Sequence, residues 1–332
     1  MLEALGFDCS FVLCADDSHG LKELTRLYQE GLPRPDFFDA LVIRAVQDGR
    51  VFYLASENEY TPALCSAREG DTYFDPKSCT FGEARLEEVS PVSWWAPWTW
   101  WRGTDAAAPG TSRWSPKAVN YCRLTVREDG GVDFDVTNRA YGASVGGFRK
   151  RFVEMLPERR SRFYQSLLGE IAEGASATSD LVTDVEAYPA LTAFSAYAPE
   201  YATAVAGEIT LRVPDLDSGF LSVGGDERHS PIATGGATER VDINEVVFPK
   251  GFTAIEHLPA AYELCDPASG EPWVTFSVTT KVEDRRLLVT LVKHTHRRTT
   301  TVLGADYAPF FRDWNRRMAA RAASTIVVRR AR

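Results

Sequence analysis

The alternation of apolar and polar residues predicts a β-hairpin near the N-terminus of the chain. Leu41, Ile43 and Ala45 occupy one face of a strand, and a second apolar run, VFYL, follows Asp48 and Gly49. Asp-Gly between two apolar runs is a strong hairpin signal, because both central positions of a type I′ turn need positive φ. We therefore predict two antiparallel strands that supply one apolar face to a core.

The two-residue turn also predicts the register of this hairpin. Gln47 faces Arg50, so Ala40 faces Glu57, and Ala55 lies diagonally beside Ala40 on the same face. The register therefore brings the start of the first strand close to the end of the second.

From residue 119 onward the pattern is dominated by strands. A second hairpin turns at Asp129, Gly130 and Gly131. Later strand-like segments are LVTDVEAY, TAFSAYA, GEITLRVP, RVDINEVVF, WVTFSVTTKV, RRLLVTLVKHTH and the terminal TIVV. Many strands joined by short turns, with helices set apart from them, predict a mainly antiparallel β-sandwich domain with added helices.

Apolar residues at helical spacing predict those helices near residues 145–174 and 306–323. The first region divides into two helices, because Pro157 is favourable at the first position of a new helix. The three apolar stripes are Val145, Phe148, Phe152 and Met155, then Phe163, Leu167, Leu168 and Ile171, and finally Tyr307, Phe310, Phe311, Trp314 and Met318.

Composition divides the chain into three regions. Residues 1–90 mix helix and strand, residues 91–118 form a linker rich in Trp, Pro and Gly, and residues 119–332 form the β-rich domain. The predicted fold class is therefore α+β.

The linker contains Trp94, Trp95, Trp98, Trp100 and Trp101. Clustered tryptophans bind sugars or Pro-rich peptides, but large rings also dock one domain on another. We favour docking and keep a carbohydrate- or peptide-binding module as an alternative.

Overall composition narrows the classes of function. The chain has 332 residues, 44% hydrophobic and 25% charged, which is typical of globular proteins. Its net charge of −9 argues against non-specific nucleic-acid binding, and no nucleic-acid partner is predicted. The longest apolar runs fall short of the roughly 18 residues that a membrane span needs. The six cysteines are scattered without a C-x-x-C pair and indicate ordinary core thiols. The sequence has no Gly-rich phosphate loop, G-x-S-x-G elbow or H-E-x-x-H motif, and no cofactor is predicted.

The C-terminal helix and tail carry a run of arginines. An amphipathic helix places charge opposite its apolar stripe, so a solvated face explains this pattern better than a nucleic-acid or lipid site. The residues are Arg312, Arg316, Arg317, Arg321, Arg329, Arg330 and Arg332.

His294 and His296 lie two residues apart, on one face of a predicted strand. Such a pair can hold a metal ion, but no third ligand is visible in the sequence. We favour two exposed histidines on an edge strand and predict no metal site.

Residues 1–90 resemble the C-terminal half of a bacterial transglutaminase-like core, which is related to papain. The remainder from residue 119 resembles the β-rich domain of unknown function that accompanies such cores. The matching segments, in order, are MLEALGFDCSFVLCADD, PDFFDALVIRAVQDGRVFYLAS, NYCRLTVREDGGVDFDVTNRAYG, MLPERRSRFYQSLL and FPKGFTAIEHLPAAYEL.

The resemblance implies where a Cys-His-Asp triad would lie. The histidine position falls on Ala40, or on Asp39 with a shift of one residue. The aspartate position falls on Ala55, or on Ser56 with the same shift. The cysteine position precedes the ALGF segment and is absent from this chain, which begins on what reads as the last turn of a helix ending at Gly6. We expect that a segment is missing upstream.

These observations predict a non-catalytic, degenerate transglutaminase-like fragment with a β-rich accessory domain and a structural or protein-binding role. The resemblance implies a protein or peptide partner and the bacterial cell envelope. The alternative within the family is a cysteine protease or amidase whose nucleophile half is supplied elsewhere.

Overall fold

The computed structural model describes the chain in twelve segments. This part of the chain is mostly strand, with mainly antiparallel sheets and three helices, which confirms the β-rich prediction at that level. The described residues are 6–15, 40–47, 50–55, 72–75, 80–83, 117–142, 144–213, 221–223, 229–233, 238–297, 302–320 and 325–331.

The N-terminal strands form a five-stranded sheet in the order β3-β2-β1-β4-β5. Strands β2 and β3 are the predicted hairpin, and their register pairs Gln47 with Arg50 as expected. The sequence did not reveal that β1 lies on the other side of β2. The strands are β1 (Asp8–Ala15), β2 (Ala40–Gln47), β3 (Arg50–Ala55), β4 (Thr72–Asp75) and β5 (Thr80–Glu83).

Nine strands form the largest sheet, in the order β16-β17-β18-β14-β6-β7-β10-β8, with β9 also paired to β10. Strand β14 runs parallel to β6 and antiparallel to β18, which places it in the middle of the sheet. The strands are β6 (Lys117–Val126), β7 (Val132–Tyr141), β8 (Ser176–Ala177), β9 (Val182–Asp184), β10 (Ala190–Ala198), β14 (Thr238–Val247), β16 (Tyr262–Cys265), β17 (Pro272–Glu283) and β18 (Arg286–Arg297).

Two smaller sheets complete the described strands. The four-stranded sheet has the order β11-β12-β20-β15, and the two-stranded sheet pairs β13 with β19. Their strands are β11 (Thr203–Val205), β12 (Glu208–Arg212), β13 (Ile232–Ala233), β15 (Phe252–His257), β19 (Val302–Leu303) and β20 (Thr325–Arg330).

The main core includes residues of the nine-stranded and four-stranded sheets. Phe134, Leu124, Val246 and Val289 are paired in one row across four neighbouring strands, and each is at most 1% exposed. They share a hydrophobic cluster with residues of the four-stranded sheet, such as the fully buried Leu211 of β12. Alternate residues of the same strands form the opposite face, which we call the outer face of the nine-stranded sheet.

The three helices agree with the predicted stripes. They are α1 (Ser144–Val153), α2 (Pro157–Ile171) and α3 (Tyr307–Ala320), and Pro157 lies in the first turn of α2 as predicted. Phe152 and Leu168 are buried in the main core, whereas Trp314 and Met318 of α3 pack on Val274 of β17. Within the described residues, no helix combines the length and apolar character that crossing a membrane requires.

A glycine turn joins the two sheets of the main core. Gly130, between β6 and β7, has φ of 89°, and its carbonyl accepts a hydrogen bond of 2.8 Å from the amide of Ala202. A Cβ atom at Gly130 would lie 2.3 Å from the Ala202 carbonyl oxygen. The turn therefore requires glycine for its backbone conformation and for its close approach to the chain entering β11.

On the outer face, Tyr121 donates a hydrogen bond of 2.5 Å from its hydroxyl to Glu245 Oε2. Arg123 lies 3.7 Å from the same carboxylate oxygen. Burial, followed by the hydrogen bond to the Glu245 carboxylate, raises the pKa of Tyr121 to about 12. The pair links β6 to β14 on the face opposite the core.

We predict that Gly130→Ala lowers the free energy of unfolding by about 2–3 kcal/mol, from left-handed strain and loss of the Ala202 hydrogen bond. Gly174→Ala is the matched control, because Gly174 has φ of 85° and a Cβ atom added there would have no neighbour within 4 Å. It should lose only about 1–2 kcal/mol. Urea unfolding measures the free energy of unfolding of both variants. Equal losses in the two variants would contradict the contribution of the close approach between Gly130 and Ala202.

We also predict that Tyr121→Phe destabilises the protein by about 1–2 kcal/mol at pH 8, by removing the hydrogen bond to Glu245. A raised folded pKa gives stability that is present below the ordinary tyrosine value of 10.0 and is lost as the pH rises through about 12. The difference between variant and wild type should therefore shrink over that interval. Urea midpoints measured from pH 8 to pH 12 test this, and a constant difference would contradict it.

Candidate functional site

The predicted triad positions lie on adjacent strands of the five-stranded sheet. The register pairs Val42 with Ala55 on β3 and Ala40 with Cys14 on β1. Ala40 and Ala55 therefore share a face of β2 and β3, as the hairpin prediction requires. Alanine has no group that accepts a proton or orients an imidazole, so neither position supplies acid–base chemistry.

Several residues singled out from the sequence lie outside the described part of the chain. These are Asp39, Ser56 and Glu57 of the hairpin region, the arginines Arg321 and Arg332, and the linker residues Trp94, Trp95, Trp98, Trp100 and Trp101. Sugar or peptide binding by the tryptophans stays a prediction.

Most of the described C-terminal arginines pair with carboxylates of the same chain. Arg316 and Arg317 lie within 3.0 Å of Asp313, one turn earlier on α3. In β20, Arg329 contacts Glu208 and Arg330 contacts Glu128. These ion pairs compensate the positive charge locally, as expected for a solvated surface.

The two histidines lie in the interior of the nine-stranded sheet, contrary to the edge-strand interpretation. Strand β18, which carries His294 and His296, is paired with β14 on one side and β17 on the other. The His294 side chain is 21% exposed. The two imidazole rings lie on the outer face with their centroids 3.7 Å apart.

Glu239 joins the histidines from the neighbouring strand. The β14–β18 register pairs Glu239 directly with His296 and places His294 one pair further along the same face. His294 Nε2 and Glu239 Oε1 share a hydrogen bond of 2.8 Å. One ligand atom from each of the three side chains lies within 4.8 Å of the other two, so the group is able to hold a metal ion.

Lys117 completes the cluster from the other side of β14. The parallel β14–β6 register pairs Glu239 with Lys117, whose Nζ lies 3.6 Å from Glu239 Oε1. Glu239 is only 6% exposed, and the burial of an isolated carboxylate is costly. Lys117 and His294 therefore supply the partners that this buried charge needs.

Sequence reasoning missed Glu239 because its partners are distant in the chain. Glu239 precedes His294 by 55 residues, and only the strand pairing brings them together. Glu239 is the second residue of a segment with clear strand character, TERVDINEVV, in which one acidic residue among several carries no distinguishing signal. If the pairing of residues 294–296 of β18 with the start of β14 had been known, it would have revealed Glu239 as the third ligand.

Comparisons with family models, with curated proteins and with solved structures each found no match.

Proposed function

We propose that this chain has a non-catalytic role as a structural or protein-binding β-rich protein. The observation that carries the proposal is the register of the β2–β3 hairpin, which makes Ala40 and Ala55 neighbours on one face. In the resembled transglutaminase-like architecture, those positions hold the base and the acid that orients it.

The chemistry of a cysteine nucleophile supports this interpretation. A thiol attacks as its thiolate and needs an adjacent imidazole to remove the proton. The imidazole in turn needs a carboxylate that fixes its tautomer and its orientation. Alanine at both positions leaves a neighbouring thiol without either group.

The same hairpin contributes to structure. Ala45 of β2 and Val12 of β1 are both completely buried, although their side chains project from opposite faces of the sheet. Both faces are therefore covered at these points. A structural role requires the hairpin to pack in the fold, and this burial supports that role without any triad chemistry.

We predict no thiol-dependent turnover by the purified chain. The assay measures deamidation of a glutamine-containing peptide, incorporation of a primary amine and peptide hydrolysis, each with and without iodoacetamide. The expected rates equal the buffer rate in all conditions, because alanine occupies the two positions that would hold the thiolate-generating base and its orienting acid. Turnover that iodoacetamide abolishes would contradict the proposal, and Cys9→Ser and Cys14→Ser would then identify the thiol.

We predict that Ala45→Asp lowers the free energy of unfolding by about 3 kcal/mol or more, because it buries a carboxylate at a fully enclosed position. Phe11→Asp is the control on the adjacent strand, since Phe11 is 62% exposed. Its effect should stay within about 0.5 kcal/mol. Thermal and urea unfolding measure both variants, and tolerance of Ala45→Asp would contradict a structural role for the hairpin.

A further inference from the structure

The cluster on the outer face of the nine-stranded sheet has the composition of a transition-metal site. It offers two imidazoles and one carboxylate, from His294, His296 and Glu239. Imidazole nitrogen suits zinc, copper, iron and nickel, whereas magnesium and calcium prefer sites made of oxygen atoms. Two histidines with one glutamate also form the protein ligand set of several zinc sites.

The distances among the three side chains suit a single ion. Zinc binds nitrogen at about 2.0–2.1 Å and oxygen at about 2.0–2.2 Å, so tetrahedral ligand atoms lie about 3.3 Å apart. The His294–Glu239 contact of 2.8 Å would open by about half an ångström, with the ion replacing the shared hydrogen. The two rings already lie side by side, which leaves only side-chain rotations to complete the site.

The backbone that carries these ligands is fixed on both sides. Strand β14 is bonded to β6 and β18, and β18 is bonded to β14 and β17. On the opposite face of the same strands, Val246 and Val289 are completely buried in the main core. Ligands on paired, well-packed strands are held more accurately than ligands on loops, so this geometry is preorganised.

We propose that Glu239, His294 and His296 bind one divalent transition-metal ion, with zinc as the best match. The ion gives the buried Glu239 carboxylate a stronger partner than the Lys117 ammonium, which is 3.6 Å away. Three protein ligands leave one tetrahedral position for a water molecule or for a group of a bound partner. This site is independent of the hairpin and of the role proposed for it.

Lys117 competes with the ion in this arrangement. Its ammonium contacts the same Oε1 atom that hydrogen-bonds His294, and it lies 6.0 Å from the centre of the Tyr141 ring. A dication on Glu239 would repel the ammonium and displace it from the carboxylate. Removal of this charge therefore strengthens metal binding, whereas removal of any ligand weakens it.

The test is zinc titration of the full chain, purified without a polyhistidine tag and stripped with a chelator that is then removed. Competition with a chromogenic chelator gives stoichiometry and affinity. We expect one zinc ion per chain and a raised Tm in its presence. A cobalt titration should give the visible absorption of tetrahedral Co²⁺ with nitrogen ligands, which identifies the ligand set independently of the variants.

The variants separate this site from zinc bound by cysteines elsewhere. His294→Ala, His296→Ala and Glu239→Gln should each lower zinc affinity by at least about a hundredfold, more than the typical loss of an outer-shell partner. Glu239→Gln keeps the side-chain shape, so it remains informative if an alanine variant does not fold. Lys117→Met should raise the affinity, and His257→Ala, at an exposed position of β15, should leave it unchanged.

Absence of stoichiometric zinc binding by the folded wild type would overturn the proposal. Zinc binding that is unchanged in both His294→Ala and Glu239→Gln would overturn it as well, because the ion would then lie elsewhere. Reduced affinity in Lys117→Met would contradict the competition between Lys117 and the ion.

Discussion

The pairing of β14 with β6 on one side and β18 on the other determines which residues meet on both faces of the nine-stranded sheet. One register row contains Phe134, Leu124, Val246 and Val289 and lies in the main core. Because side chains alternate along a strand, the same pairing fixes a second row on the outer face, formed by Tyr141, Lys117, Glu239 and His296.

The two rows depend on each other. A slip of β14 by one residue would turn Val246 away from the core and would turn Glu239 toward it. Burial of a large apolar row therefore fixes the register far more firmly than the polar contacts do. Core packing therefore places Glu239 beside His294 and Lys117. The apolar residues on one face determine the geometry of the polar cluster on the other.

Local pattern predicted much of the secondary structure but not the pairing. The hairpin at Gln47 and Arg50, the turn at Gly130 and the first turn of α2 at Pro157 depend on residues close in sequence, and the structure has all three. The parallel β6–β14 pair joins segments more than a hundred residues apart, and no local signal specifies it. Strand β15 was not predicted, and its burial does not alternate along the strand. Its pairing with β20 also contains two shifts of register.

The candidate sites divide in the same way. The hairpin register followed from a two-residue turn, whereas the assignment of His294 and His296 to an edge was wrong because it needed knowledge of β14 and β17. The sequence contained both histidines and Glu239, but their chemistry belongs to the assembled sheet. The pairing of strands that are distant in sequence depends on how much apolar surface the whole core buries. The sequence of one short segment does not specify it.

The stability of the sheet alone does not explain the cluster around Glu239. Replacement of a buried group of charges by apolar residues is often neutral or stabilising, because desolvation of the charges offsets much of their attraction. Tyr121 and Glu245 form a comparable polar pair on the same face, yet that pair is satisfied by one short hydrogen bond and a nearby arginine. Around Glu239, two imidazoles and an ammonium converge on one carboxylate that is 6% exposed. Lys117 and one hydrogen-bonded imidazole are enough to compensate this carboxylate. The second imidazole is not needed for that purpose, and together with the first it supplies the nitrogen ligands that a metal ion would use.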